Sequence, residues 1–391
     1  MGFQQINSNK NRTFVPRIKH SVMYDQIRGD IPFFMFYASV AMLSLIACCY
    51  LLFRRGNAFD PGISSSARLR RWTAAFFAAS ALSHLWNLPA FFQTSSDDVM
   101  LSYLVGGLLD CMTVGPLAIV ILFVMMQDRR RPLWPVAVMV APAVVVMIWS
   151  VVSRSDDFLQ ILYVYVVSLI IGLCIYMVRE VRHYGRWLRD NYADLEHKEV
   201  WQTFVVLTVV LLGLGIYTFF VEGLAYECFI QVVYAMLVCY LLWRVETLSD
   251  LSNVSVEEAN EDTVAIVHGE NDLSLSMRSN IGSLLKLRCE DAQLYLQNDI
   301  SLTELAKQIG TNRVYLSQHF AMQHTTYNAY INGLRIQHFI NLYHEAASTH
   351  QSATVQQLAC KSGFRSYGTF NGAFKQKMGM TATEWMHTVS E

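Results

Sequence analysis

A series of seven apolar runs, each close to bilayer length, restricts this chain more than any other feature. They are Ile31–Phe53, Trp72–Phe92, Val99–Met126, Leu133–Val152, Phe158–Val178, Thr203–Val221 and Leu224–Trp243. A hydrocarbon core about 30 Å thick is crossed by about 20 helical residues. The expected architecture is therefore all-α, opening with a seven-helix transmembrane bundle over residues 31–244. Charged residues are 16% of the 391, against about 25% in a soluble protein, and the deficit lies in these runs. Only Glu222–Gly223 separates the last two, so a single re-entrant feature is the alternative there.

Loop charge sets the expected orientation, because Lys and Arg concentrate on the cytoplasmic side. Loop 54–71 carries Arg54, Arg55, Arg68, Arg70 and Arg71. Loop 127–132 carries Arg129, Arg130 and Arg131, and loop 179–202 carries Arg179, Arg182, Arg186, Arg189 and Lys198. The intervening loops hold only Arg154. Seven spans then place the N-terminus outside and the C-terminus in the cytoplasm. The basic tail, residues 1–30, runs against this orientation. A six-span arrangement would bring the tail inside, at the cost of dropping a span without exchanging the other loops. The tail is polar, and the first apolar run starts too late and runs too long for a cleavable signal.

Five polar residues inside the runs are candidates for signal sensing: His84, Asn87, Asp110, Glu227 and Gln231. Ionisable groups at membrane depth are costly and normally face the bundle interior. Interhelical hydrogen bonding is the plainer reading of the same residues. Six of the eight cysteines lie in apolar runs and no CxxC pair occurs, so neither a disulfide framework nor a metal site is expected. The chain has no HExxH, GxSxG or P-loop motif, which argues against an enzyme. No catalytic residue and no cofactor is expected.

Composition changes sharply at residues 245–277. From Glu246 to Asp272 there are eight acids and no Lys or Arg. This reads as a flexible acidic linker. Its charge would keep it soluble and off anionic lipid; competition for the mildly basic domain beyond is the other reading.

Residues 278–391 return to ordinary composition and carry a pattern written twice. Ser301-x-x-Glu304 is a capping box, followed by Leu302, Leu305, Ala306 and Ile309 on one helical face. Gly310 ends that helix, and Thr311 or Asn312 caps the next, in which Leu316 and Phe320 face inward. The second copy has Thr354-x-x-Gln357, then Val355, Leu358 and Ala359, the turn at Gly363 with Phe364 beneath it, and a helix capped by Ser366 with Phe370 and Phe374 inside. Thr381-x-x-Glu384 caps a closing helix expected to bury Trp385. Tyr327–His344 between the copies reads as a rigid spacer helix. These are two helix-turn-helix motifs, and the outer face of each second helix is what a major groove would meet. The expected DNA-contacting residues are Asn312, Arg313, Val314, Ser317 and Gln318 in the first motif. In the second they are Arg365, Ser366, Tyr367, Gly368, Thr369, Asn371 and Lys375.

Residues from about 286 to 386 resemble the DNA-binding domain of the AraC/XylS family of bacterial transcription regulators. The strongest similarity lies in GFRSYGTFNGAFKQKMGMTATEW, with YLSQHF and Leu334–Ile336 matching the first half of the family pattern. The sequence departs from that pattern at Ala382, Gly372 and His324, where the family usually has Pro, Arg and Gly. Gly372 removes a long side chain from the second recognition helix. The resemblance implies a membrane-embedded one-component regulator in the bacterial inner membrane. Its implied partners are double-stranded promoter DNA, the lipid bilayer, a second copy of itself, RNA polymerase and an unidentified signal ligand. The alternative is a receptor or transporter-like protein whose C-terminal domain is a protein-interaction module.

Overall fold

The computed structural model describes residues 27–54, 57–58, 63–155, 157–220, 223–251, 280–349 and 353–390. Among these every regular element is helical. The first group comprises α1 (Ile31–Phe53), α2 (Ala67–Asn87), α3 (Ser96–Met112), α4 (Val114–Met125), α5 (Trp134–Ser153), α6 (Leu159–Asn191), α7 (Trp201–Phe220) and α8 (Leu224–Thr247). The second comprises α9 (Leu302–Ile309), α10 (Arg313–Met322), α11 (Tyr327–Ser348), α12 (Val355–Lys361), α13 (Tyr367–Met378) and α14 (Ala382–Ser390).

All seven expected runs are helical, but five helices are long and apolar enough to cross a membrane. These are Ile31–Phe53, Asp97–Met125, Trp134–Ser153, Leu159–Asn191 and Leu224–Thr247. The Trp72–Phe92 run falls short because it folds as α2, which begins with Arg68, Arg70 and Arg71, and then a single turn, Pro89–Phe92. α2 packs against α1, α3, α4 and α8. Helices rather than lipid surround much of it, which accounts for its buried Thr73, Ser80, Ser83 and His84. In the sixth run the described apolar stretch is Trp201–Val210. The third run breaks at Thr113 into α3 and α4. Pro116, in the first turn of α4, has no N–H to offer the Met112 carbonyl. The outer surfaces expose Ile46, Val145, Ile171 and Met236, each more than 40% accessible. Apolar side chains in such number on one surface suit a lipid environment.

The three basic segments meet at one end of the bundle, although 179–202, expected as a loop, is helical as far as Asn191, so Arg179, Arg182, Arg186 and Arg189 lie on α6. There Arg129 and Arg131 bind Glu180 at 2.8 Å, and Arg70 pairs with the buried Glu246. The Ser249 amide donates to the His197 carbonyl at 2.8 Å, and the Leu251 amide donates to Gln127 Oε1 at 2.8 Å. The connection expected to start at 245 therefore starts later. Val245, Leu248 and Leu251 are core residues, and Glu246 is held by Arg70 and Tyr50. The remainder of that acidic stretch, 252–279, and most of the N-terminal tail lie outside the described residues.

The C-terminal domain has two cores. One gathers Leu302, Leu305, Ile309, Leu316, Phe320, Tyr327 and Ile331; the other gathers Phe339, Leu358, Phe364, Phe370, Phe374 and Ala382. α11 runs through both as the spacer. Trp385 is only half buried, its ring set against Tyr343 and Phe374, while Ala382 takes the fully buried position.

Candidate nucleic-acid interface

Each motif is set by local caps. Ser301 and Glu304 form a reciprocal capping box, as do Thr354 and Gln357. Asn312, not Thr311, caps α10, its Oδ1 accepting from the Val314 amide at 2.6 Å. Ser366 caps α13 by accepting from the Thr369 amide at 3.2 Å. Both motifs turn on a left-handed glycine, Gly310 at φ 81° and Gly363 at φ 87°. A Cβ at Gly363 would stand 2.8 Å from the Leu296 Cα, so this turn tolerates no side chain.

One residue fastens the motifs to each other. Arg335 is 1% exposed. It donates from Nε to the Tyr295 carbonyl and from Nη2 to the Gln297 carbonyl, both at 2.7 Å. Its guanidinium lies 5.6 Å from the centre of the Phe364 ring, and burial pulls its pKa down. The turn at 294–297 thus sits between α11 and the Gly363 corner. Sequence reading placed Arg335 in a family-like Leu-Arg-Ile string and missed this role; an Arg within an otherwise apolar helical face was the available signal.

The expected DNA-contacting side chains fall into three groups. Val314, Ser317 and Gln318 lie half exposed on α10, and Tyr367, Gly368 and Lys375 are exposed on α13. Asn312 and Ser366 are occupied as caps. The third group is turned onto other protein groups, for Arg313, Ser366 and Thr369 the segment 191–199 between α6 and α7. Arg313 donates to Asn191 Oδ1 from Nη2 at 3.0 Å. Thr369 Oγ1 donates to Glu196 Oε2 at 3.0 Å, and Ser366 Oγ donates to the same carboxylate oxygen. Arg365 is paired with Asp299 at 2.9 Å, which Lys198 approaches at 3.3 Å. Asn371 is half buried, and its Oδ1 is enclosed without a hydrogen-bond partner.

From the opposite side, Asn328 donates to the Tyr192 and Ala193 carbonyls at 3.2 and 2.7 Å, and Asn332 donates to Ala193 at 3.1 Å. Tyr192 and Ser301 form an isolated antiparallel bridge. Asp194 is 2% exposed; burial pushes its carboxyl above the ordinary range, with Lys198 acting the other way. Burial acts likewise on Asp299, but Lys198 and Arg365 outweigh it and hold that carboxyl low.

Residues 305–388 match the family model described as a helix-turn-helix domain, of the AraC type. The C-terminal domain is similar to AraC-type helix-turn-helix domains over these residues. No curated protein matches the chain, and no solved structure matches it. The AraC-type domain points to a DNA-binding transcription regulator rather than to catalysis.

In the bundle, the five expected sensing residues form three hydrogen-bonded groups. His84 bridges the Ser80 carbonyl (Nδ1, 2.7 Å) and the Gln231 side-chain amide (Nε2, 2.9 Å). Asp110 accepts from Trp86 Nε1 and Asn87 Nδ2, both at 3.0 Å. Glu227 accepts from the Tyr103 hydroxyl at 3.4 Å. Tyr37 touches the first group, its hydroxyl donating to the His84 carbonyl at 2.7 Å. Gly106 lets α3 approach α2 at Asn87, because a Cβ there would collide with the Asn87 side chain.

Proposed function

We propose that this protein is a transcription regulator embedded in the bacterial inner membrane. It reads promoter DNA through its two helix-turn-helix motifs and receives a signal through its transmembrane helices. The observation that carries this reading is the pair of capped motifs on one spacer helix, within a domain of AraC type, joined to a bundle with bilayer-length apolar helices. The three basic segments lie at the end of the bundle that meets the AraC-type domain, which supports a cytoplasmic position for both. Seven crossings, with the N-terminus outside, follow if α2 and α7 cross beside the five more apolar spans. Gln318 and Arg313 suit adenine and guanine edges, and Lys375 suits a phosphate. His84, Asn87, Asp110, Glu227 and Gln231 form the polar interior where a signal ligand would act. Two copies on adjacent half-sites would gain through effective concentration, and the bound domain would contact RNA polymerase.

The test is genome-wide crosslinking of the full-length tagged protein in its own cells, beside Gln318→Ala combined with Tyr367→Ala. Discrete sites lost in the double variant are the expected result. Sites that persist unchanged would refute sequence reading by these faces.

A further inference from the structure

The loop at 191–199 lies against both helix-turn-helix motifs, and it meets the second with carboxylates. Glu196 accepts hydrogen bonds from Ser366 and Thr369, at the N-terminus of the 12-residue helix α13. Backbone N–H groups and the helix dipole make such an end a seat for phosphate oxygens. Asp194 adds a second carboxyl group 3.4 Å from Thr369 Oγ1. On the first motif, Arg313 is turned onto Asn191.

We propose that this loop is the resident occupant of the DNA-binding face, so that docking of the domain on the bundle and binding of a duplex exclude one another. The proposal rests on the DNA-binding reading above and names the regulation of that site. A recognition helix must enter a major groove about 12 Å wide with its outer face clear. Here the first turn of α13 and Arg313 of α10 lie against the loop, and the end of α6 packs on α9 and α11. The contact is built to part. Ala193 is the loop residue buried in the first-motif core; the remainder is hydrogen bonds and carboxylates, the makeup of separable domain contacts. A solvent-open cleft of about 530 Å³ lies between the loop, Trp243, and α13 at Gly368, Gly372 and Gln376. Because the loop joins α6 to α7, any change in how those helices sit reaches the DNA-binding face without passing through the acidic connection at 252–279.

The test uses the full-length protein in lipid nanodiscs and a fluorescent random-sequence duplex at about 50 mM salt, where non-specific binding is strong. Amide exchange of residues 191–199 is followed in parallel. Glu196→Ala removes the acceptor shared by Ser366 and Thr369. Glu199→Ala removes the same charge from the same loop, but its carboxylate binds Trp201, not the domain. Asn328→Ala loosens the loop from the domain side, should Glu196→Ala fail to fold.

Glu196→Ala, which removes a charged acceptor, is expected to tighten duplex binding about tenfold, and Asn328→Ala, which removes neutral hydrogen bonds to backbone carbonyls, about fivefold. Glu199→Ala should not, and duplex added to the wild type should speed exchange in 191–199. Tight duplex binding of equal strength by all variants, with the loop still protected, would overturn the clamp and leave the DNA reading standing. Equal tightening by Glu199→Ala would reduce the effect to net charge and overturn it as well. Absence of duplex binding by every variant, while exchange in 191–199 rises in Glu196→Ala, would overturn the DNA reading and the clamp together.

Discussion

Replacing Arg335 with Leu should loosen the seam between the two motifs while leaving each motif's own helices formed. The guanidinium supplies two hydrogen bonds of 2.7 Å to the Tyr295 and Gln297 carbonyls. Hydrogen bonds from a charged donor contribute about 1.5–3 kcal/mol each. Removing the charge also relieves the cost of holding it 1% exposed, a cost of several kcal/mol that offsets part of the gain. The net destabilisation should be about 2 kcal/mol, or roughly 30-fold in a local opening equilibrium. The assay is amide exchange by mass spectrometry on the full-length protein. Exchange should rise about 30-fold at the 294–297 turn and the 362–364 corner, and change little in α14. Arg335→Lys should fall between, since one ammonium cannot serve both carbonyls in the guanidinium's fork geometry. An Arg335→Leu protein with unchanged exchange at both places would refute the seam, and a uniform rise across the domain would refute its local character.

Gly363→Ala should cost about 1–2 kcal/mol for the left-handed backbone alone, and more from the clash with Leu296, seen as a lower denaturation midpoint of the C-terminal domain. Gly106→Ala should push Asn87 off Asp110 and lower the melting temperature in detergent by several degrees, about what 1–2 kcal/mol produces; an unchanged melt would mean α2 and α3 can separate without loss. Lys375→Ala should weaken DNA binding equally on all sequences and reduce the salt slope by about 1. Gln318→Ala should instead relax preference at one base position by about 1–3 kcal/mol, read from binding to a panel of single-base variants of a selected site.

The C-terminal fold was legible because its signals are local. The capping boxes Ser301/Glu304 and Thr354/Gln357 announce helix starts within four residues, and Gly310 and Gly363 announce the turns. The core positions Leu316, Phe320, Phe370 and Phe374 follow from helical spacing. The bundle was legible in outline, since run length alone marks a bilayer-length helix. Its details were not: α2 keeps Thr73, Ser80, Ser83 and His84 because neighbouring helices cover them, and spacing along one chain does not report what covers a helix. The docking of residues 191–199 was also hidden. Asn191, Asp194 and Glu196 look like ordinary loop residues, and their partners lie more than a hundred positions away. Trp385 misled for a related reason, because its size suggested burial while the small Ala382 fits the tight position.

The loop and the face it occupies belong to one chain, and that fixes how they compete. Joined segments meet at an effective concentration on the order of millimolar, which does not change with the number of copies a cell makes. Raising expression supplies acidic loops and DNA-binding domains in equal number, so abundance alone does not titrate one against the other. The fraction of domains released is set by the bundle, the promoter and the strength of a few hydrogen bonds at Glu196, Asn328 and Asn332. The threshold for response therefore belongs to the individual molecule and not to its dosage.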